Sequence, residues 1–259
     1  MEHGHKHKED CEKRVLHDEL LFRQPENSYL GECPICFLPQ SLDETKCTLM
    51  VCCGKLICNG CNWANQKREK EGKLKIKCAF CREPISETFA DGQKIIEKKA
   101  KMNEPKSLRE VGIKLYDKGQ FQKAFDYFSK AATLDDAVAH YYLAYMYLHK
   151  QGVEKDSSKV LFHYEMSAIG GHHLARFNLA NIEFCNLRYE RAVKHWIIAA
   201  KQGETQSLHN LKEAYREGLI SKDDYADALR AHQDAIEAVR SPQRAEFDAL
   251  LVTGKVYFY

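Results

Sequence analysis

From Leu108 onward, apolar and small side chains recur at three- and four-residue intervals, which places them on one face of an α-helix. Four such sets are Leu108, Val111, Gly112 and Leu115; Phe121, Ala124, Phe125 and Phe128; Val193, Trp196, Ile197 and Ala200; and Tyr225, Ala228, Leu229 and Ile236. Ser221 and Asp224 have the spacing of a helix N-cap and its acidic third residue. The pattern predicts amphipathic helices joined by short turns.

The same short element closes three consecutive helical units. It reads K-A-A-T-L-D-D at 130–136, M-S-A-I-G-G-H at 166–172 and I-A-A-K-Q-G-E at 198–204. Successive copies are 36 and then 32 residues apart, because the second unit has a longer inter-helix loop at 149–156. A period in the thirties with two helices per unit is typical of an α-solenoid. The sequence therefore predicts an all-α solenoid of helical hairpins over 108–240.

The remaining segments differ in composition. Residues 1–28 form a polar N-terminal tail with a His- and Lys-rich start, and residues 29–90 contain the clustered cysteines. Residues 91–107 are Lys-rich and predict a basic linker that could include a short helix. Residues 241–259 form a C-terminal tail whose apolar end could either pack on the final helices or bind a partner.

The overall composition narrows the functional classes. With 44% hydrophobic and 29% charged residues among 259, the chain has the composition of a globular protein. No apolar run approaches the roughly 18 residues of a membrane-spanning helix, and the polar start is unlike a secretory signal. A formal charge of +2 provides no general attraction to nucleic acid. We expect an intracellular protein, cytoplasmic or nuclear, with no membrane partner and no nucleic-acid partner.

Cysteine is the unusual residue type. Eight of the 11 cysteines form close pairs in the segment 29–90: Cys33 and Cys36, Cys52 and Cys53, Cys58 and Cys61, and Cys78 and Cys81. Three of these pairs have two intervening residues, a spacing that lets both sulfurs reach one zinc ion at about 2.3 Å, and with the adjacent fourth pair they give eight thiolates, enough for two tetrahedral sites. Intracellular thiols stay reduced, which favours metal over disulfides. No histidine lies between His17 and His140, so the pattern predicts two closed, structural, all-cysteine zinc sites.

The helical half resembles the Sel-one-like repeats, a subclass of tetratricopeptide-like helical hairpins. The resemblance rests on A-H-Y-Y-L-A-Y-M-Y at 139–147, G-V-E-K-D at 152–156 and the alanine–glycine endings of the units. Lys150 stands where the repeat pattern prefers glycine. The resemblance implies a binding scaffold for proteins, without chemistry of its own.

The order of the cysteine pairs over 29–90 resembles a RING-type zinc finger of the all-cysteine variant. That resemblance implies a cross-brace in which pairs one and three share one zinc, and pairs two and four share the other. The two sets are Cys33, Cys36, Cys58 and Cys61, and Cys52, Cys53, Cys78 and Cys81. Lys55 occupies the position where most RING fingers have a histidine. Adjacent ligands need an unusual turn, so Cys47 is an alternative to Cys52.

A RING finger implies ubiquitin ligation without a covalent intermediate, since the module orients a ubiquitin-charged conjugating enzyme. By the same resemblance, Ile35 between the first two ligands contacts that enzyme, and Trp63 provides a further apolar contact offset from the usual position. Arg82, just after the last ligand, is the linchpin-like cation that bridges enzyme and ubiquitin through its planar fork. The helical repeats would recruit a substrate or an adaptor.

Two other functions remain open from the sequence. One is a non-catalytic zinc-binding scaffold for protein interactions, in which Ile35 and Arg82 have only packing or solvent roles. The other is a FYVE-like phosphoinositide binder, which also uses eight cysteines. That type needs a basic, histidine-containing patch before its third ligand, whereas this chain has T-L-M-V at 48–51. The ligase is therefore the leading hypothesis.

Overall fold

The computed structural model describes residues 15–86 and 88–253. A small cysteine-rich module is followed by an all-α array, which confirms the predicted fold class. The elements are α1 (residues 15–21), a 3-10 turn (Glu44–Lys46), β1 (Cys47–Met50), β2 (Lys55–Cys58), α2 (Asn59–Glu71), α3 (Phe89–Lys101), α4 (Pro105–Asp117), α5 (Phe121–Ala132), α6 (Ala137–His149), α7 (Ser157–Ile169), α8 (His173–Cys185), α9 (Tyr189–Lys201), α10 (Thr205–Arg216), α11 (Lys222–Ala238) and α12 (Pro242–Val252).

Consecutive helices of the array pack as hairpins: α4 with α5, α6 with α7, α8 with α9, and α10 with α11. Side-chain caps start many of these helices, as at Asp136, whose carboxylate accepts from the Ala139 N–H at 2.9 Å. The predicted cap at Ser221 is confirmed, since its hydroxyl accepts from the Asp224 N–H at 3.0 Å. Lys150 ends α6 in the left-handed conformation with φ 57°, which explains why glycine is preferred at this position.

Small residues let the paired helices approach closely. Ala124, Ala131 and Ala139 are fully buried in the core of the first hairpins, beside Phe128. A Cβ placed on Gly112 of α4 would lie 2.7 Å from the ring of Phe128 on α5. The close crossing of α4 and α5 therefore depends on a glycine on one helix facing a large ring on the other.

The predicted basic linker is mostly helix. α3 covers most of 91–107 and packs against α4, with Ile96 and Ala100 joining the same core as Leu108 and Val111. Four-residue spacing places Ile96 and Ala100 on one helix face, and burying that face outweighs the solvation of the surrounding lysines. The first helical layer therefore begins before the repeats do.

The described part of the N-terminal segment also packs on the array. Leu21 is fully buried in the core formed by α6, α7 and α8. The buried guanidinium of Arg176 donates to the Leu21 carbonyl at 2.5 Å and to the Ala168 carbonyl at 2.8 Å. Asp18 pairs with Arg191 at 2.8 Å. The His- and Lys-rich start of the chain lies outside the described residues.

Part of the predicted C-terminal tail is a helix. α12 lies along α2 of the cysteine-rich module, and Phe247 is buried beside Trp63 with ring centroids 6.4 Å apart. The apolar end at 254–259 lies outside the described residues. Among the helices of 15–86 and 88–253, none combines the length and the apolar character required to cross a bilayer.

Buried histidines make the stability of the array dependent on pH. His195 is fully buried beside Phe22, and neither ring nitrogen has a hydrogen-bond partner among the described residues. Burial, reinforced by Arg176 and Arg191, lowers the pKa of His195 to about 3. Burial, reinforced by His140 and Lys159, likewise lowers the pKa of His163 to about 4. The unfolded chain therefore binds these protons at higher pH than the folded chain does.

We expect acid to destabilise the array between the ordinary histidine pKa and these lowered values. The contribution of each neutral histidine to the free energy of unfolding is fully present above about pH 6.5. It falls by about 2 kcal/mol per histidine between about pH 7 and about pH 5. Urea titrations at both pH values measure this slope. His195→Leu should flatten it, whereas the exposed control His209→Gln should not. Equal slopes in wild type and His195→Leu would contradict the assignment.

Candidate metal centres

Two copies of one backbone motif hold the first and last cysteine pairs. Both read C-x-x-C-x-x-P, at 33–39 and 78–84. The N–H of the first cysteine donates across the loop, from Cys33 to the Leu38 carbonyl at 2.9 Å and from Cys78 to the Glu83 carbonyl at 2.8 Å. An antiparallel bridge to the proline closes each loop. The residue after the second cysteine is left-handed in both motifs, with φ 57° at Phe37 and 65° at Arg82.

The β1–β2 hairpin supplies the two middle pairs. Cys52 and Cys53 lie in its turn, where the N–H groups of Cys53 and Gly54 both donate to the Met50 carbonyl. Gly54 has φ 69°, a conformation that glycine adopts without strain. This tight turn is the unusual local geometry that adjacent ligands require.

The third pair spans the start of α2. Cys58 ends β2 and is the N-cap of the helix, with its Sγ accepting from the Cys61 N–H at 3.5 Å. Unpaired N–H groups give a helix N-terminus a partial positive charge, which favours thiolates over thiols there. The hydrogen bond from the Cys61 N–H acts in this direction on the pKa of Cys58, although the neighbouring Cys33 thiol and burial raise that pKa more strongly.

The eight cysteines converge as two groups of four. In sequence order, the first pair groups with the third and the second pair groups with the fourth. Within each group the sulfurs lie within 4.8 Å of one another: Cys33, Cys36, Cys58 and Cys61, and Cys52, Cys53, Cys78 and Cys81. Three Sγ–Sγ distances are 3.9 Å (Cys36 to Cys58), 3.9 Å (Cys53 to Cys78) and 3.4 Å (Cys52 to Cys81).

These distances fit zinc. Four sulfurs at about 2.3 Å from a tetrahedral ion are separated by about 3.8 Å, close to the values observed. Four thiolates also match the preference of zinc for soft ligands, and they leave no coordination position for water or substrate. The donor set therefore suits two structural ions and excludes hydrolysis at either centre.

Cys47 belongs to neither group. It pairs with Cys58 across the hairpin, and its thiol donates to the Glu44 carbonyl at 3.3 Å. Burial, reinforced by Glu44 and Asp43, raises the pKa of Cys47 to about 12. The described geometry thus groups Cys52, rather than Cys47, with the second set.

The three predicted partner-contact residues have different surroundings. Ile35 is 38% exposed on the first motif, next to Phe37, which is 73% exposed. Trp63 is only partly buried, but one side of its ring faces Phe247 of α12. Arg82 is held within the module, since it donates to Glu69 at 2.6 Å and to Asn65 at 2.9 Å. Its side chain remains 47% exposed.

Sequence reasoning missed the two polar residues that anchor Arg82. Glu69 is almost fully buried, and its carboxylate also accepts from the Lys77 N–H at 2.7 Å. Asn65 donates to the Lys77 carbonyl at 2.9 Å. Their four-residue spacing on α2 was the available signal, although such pairs on a Lys-rich helix normally face solvent.

Comparison with known proteins identifies the repeats. The sequence model of the Sel1 repeat matches residues 105–136, 137–172 and 188–204. The first two matches cover the hairpins α4–α5 and α6–α7, and the third covers α9. The matched segments of the helical array are therefore Sel1-like, as the resemblance of the sequence implied, whereas α10 and α11 lie outside the match.

Individual relatives share part of the chain. An uncharacterized Sel1-like repeat-containing protein of Schizosaccharomyces pombe is 27% identical over 135 residues, which is 50% of this chain and 20% of that protein. The chain thus spans a fifth of that relative. A protective antigen of uropathogenic Escherichia coli with an SLR fold has TM-score 0.48 and 19% identity, covering 67% of this chain and 38% of its own. A Sel1 repeat protein from Oxalobacter formigenes has TM-score 0.49 and 19% identity. The match covers 69% of this chain and 72% of that chain.

Proposed function

We propose that this Sel1-repeat protein is a RING-type ubiquitin ligase. The cysteine-rich module would dock a ubiquitin-charged conjugating enzyme, and the Sel1 array, a protein-interaction scaffold, would recruit a substrate or an adaptor. One observation carries the proposal: cysteine pairs one and three form one four-sulfur group, and pairs two and four form the other. Two closed metal centres in such a short segment build a rigid platform for docking rather than a hydrolytic site.

The exposed apolar side chains of the two C-x-x-C motifs support docking. Ile35 is 38% exposed, Phe37 73% and Phe80 44%. All three lie within a motif whose backbone is held by hydrogen bonds across the loop, and a bound metal ion would hold it further. Apolar groups held on a rigid frame lose little conformational entropy on binding, so they suit a partner-contact surface.

Arg82 suits the linchpin-like role because its guanidinium is oriented before any partner binds. Glu69 and Asn65 take one N–H from each terminal nitrogen, and the half-exposed fork retains further donors. A preoriented cation could bridge the conjugating enzyme and ubiquitin, which restricts the thioester to reactive orientations. In this role Arg82 positions the reacting groups and forms no covalent bond.

The proposal requires reduced thiols and therefore a reducing compartment, the cytoplasm or the nucleus. Zinc is the only cofactor it needs, as two structural ions. The chemistry of transfer belongs to the conjugating enzyme, whose thioester the module would hold in place.

Autoubiquitination assays with a panel of conjugating enzymes test the proposal. Ile35→Ala is expected to lower the rate at least about tenfold by removing the central apolar contact. Arg82→Lys keeps a cation beside Glu69 but loses the fork, and it should give a comparable loss. Phe89→Ala, which removes a 77% exposed apolar side chain outside the module, is the matched control.

Zinc content must be equal in all variants, so that lost activity reports docking rather than unfolding. Arg82→Ala is less informative because it removes the ion-pair partner of the buried Glu69 carboxylate and would destabilise the module. Full activity in both Ile35→Ala and Arg82→Lys would refute this mechanism.

A non-catalytic scaffold is the second candidate, and one observation favours it. α12 covers part of the Trp63 surface through Phe247, which leaves less of this side chain accessible to a conjugating enzyme. If the zinc-loaded chain transfers no ubiquitin with any enzyme of the panel, the module is an interaction domain only.

A further inference from the structure

An arginine from the far end of the chain reaches the first metal centre. Arg244 of α12 donates from Nη2 to the Sγ of Cys36 at 3.5 Å and to the Leu38 carbonyl at 3.3 Å. Its Nη1 donates to the Pro39 carbonyl at 2.7 Å. The guanidinium thus contacts one ligand sulfur and the backbone that shapes the first C-x-x-C motif, 208 residues away.

A lysine of the array has a similar position at the second centre. Lys99 of α3 donates from Nζ to the Val51 carbonyl at 2.7 Å and to the Cys52 carbonyl at 3.0 Å. These carbonyls belong to the hairpin turn that presents Cys52 and Cys53. Each four-cysteine group therefore has at least one cation supplied by a helix outside the module, and Lys106 of α4 adds a donor to the Gly54 carbonyl of the second turn at 3.3 Å.

Such cations have an electrostatic reason to be there. A divalent ion held by four thiolates keeps a net charge of about −2, which is costly in the partly buried surroundings of both centres. A cation donating to a ligand sulfur offsets that charge directly, and one bound to the ligand backbone offsets it over a slightly longer distance. Outer-sphere partners of this kind commonly change metal affinity by about 10- to 100-fold.

We propose that Arg244 and Lys99 are outer-sphere positioning residues, each of which sets the zinc affinity of one centre. Arg244 acts on the group of Cys33, Cys36, Cys58 and Cys61, and Lys99 acts on the group of Cys52, Cys53, Cys78 and Cys81. The helical elements outside the module therefore help to retain its metal. By linkage, loss of zinc from the first centre weakens the docking of α12. The inference holds whether or not the chain transfers ubiquitin.

The third cysteine pair is shaped to admit α12. Gly60 lies between Cys58 and Cys61, and a Cβ there would be 2.7 Å from the Arg244 nitrogen and 2.8 Å from the Gln243 carbonyl carbon. Both neighbours are backbone atoms of α12, so they cannot move aside without moving the helix. Gly60→Ala is thus a way to displace Arg244 while every cysteine and every charge is retained.

The same helix offers a matched control. Glu246 of α12 pairs with Lys67 of the module at 3.0 Å through exposed side chains, away from the cysteines. Glu246→Gln removes a charged contact between α12 and the module but no contact to a metal ligand. Exposed pairs of this kind contribute little to stability.

Zinc transfer from the full, zinc-loaded chain to a chromophoric chelator tests the inference. In Arg244→Met, one of the two zinc ions should bind about 10- to 100-fold more weakly while the other keeps its wild-type affinity. Lys99→Met should weaken one ion as well, and the double variant should weaken both. Glu246→Gln should match wild type, and Arg244→Lys should lie between wild type and Arg244→Met.

Gly60→Ala should weaken the same single ion as Arg244→Met, so combining the two substitutions should add little. Unchanged affinity for both ions in Arg244→Met and Lys99→Met would overturn the inference. So would equal weakening of both ions in each single variant, since that result indicates general destabilisation of the module. Wild-type affinity in Gly60→Ala would refute the role of the docked helix.

Discussion

Removing zinc from the reduced chain is expected to unfold the cysteine-rich module while the Sel1 array stays helical. The buried apolar cluster of the module consists of Cys33, Met50, Ile57, Cys58, Cys61 and Cys78, so four of its six members are cysteines. Without metal these sulfurs cannot hold the loops together, and Met50 and Ile57 alone bury too little surface. Structural zinc contributes on the order of 10 kcal/mol in small zinc modules, which exceeds the roughly 3–5 kcal/mol that a single core supplies in a segment of this size.

Elemental analysis and hydrogen exchange measure this result. The purified chain should contain two zinc ions, and Cys47→Ser should retain both because Cys47 lies outside the two groups. Chelation should abolish amide protection over β1, β2 and α2 while protection in α5 to α9 persists. A chelated, reduced chain that keeps protected amides in the module would show that metal does not hold it together.

Phe128→Ala is expected to lower the free energy of unfolding of the array by about 3–5 kcal/mol. The Phe128 ring is fully buried, and it stacks on Tyr142 with centroids 4.6 Å apart and an interplanar angle of 10°. It also fills the space over Gly112 where α4 and α5 cross. Truncation removes the buried ring, its stacking partner and the packing between two hairpins at once.

Urea denaturation followed by far-UV circular dichroism measures the loss. Phe162→Ala, which removes a ring that is 52% exposed on the same array, should cost much less. Gly112→Ala should destabilise the wild type, because its Cβ meets the Phe128 ring, yet cost less in the Phe128→Ala background. Equal losses for Phe128→Ala and Phe162→Ala would show that this crossing is not a centre of stability.

The helical array could be predicted because its signals are local. Apolar spacing of three and four residues determines which face of each helix is buried, and the repeated Ala-Ala endings mark the units. The N-cap at Ser221 depends on a residue three positions away. Each of these interactions joins residues within one or two helical turns, so the linear pattern contains them.

The module was predictable in part. Two-residue spacing identified three of the cysteine pairs and adjacency identified the fourth, whereas their grouping followed only from resemblance to a cross-brace. The roles predicted for Ile35, Trp63 and Arg82 stay predictions. Their surroundings depend on contacts that no spacing reveals, such as Phe247 beside Trp63, and Glu69 beside Arg82.

The structure changed the expected organisation of the chain. The segment predicted as a linker is largely α3, and the segments predicted as tails contribute Leu21 to the core of the array and α12 to a face of the module. A lysine-rich helix with two apolar positions resembles a solvated linker in sequence. Only the neighbouring α4 makes burial of its apolar face favourable.

The sequence by itself determined the Sel1-type helices, the cysteine pairs and the caps, because backbone geometry over a few residues decides them. Tertiary structure decided which distant groups meet. Arg176 binds the Leu21 carbonyl across 155 residues of sequence, and Arg244 contacts Cys36 across 208. A long cationic side chain has the same local pattern whether it faces water or a buried acceptor. Its partner becomes fixed only when the packed helices bring both groups into one low-dielectric region.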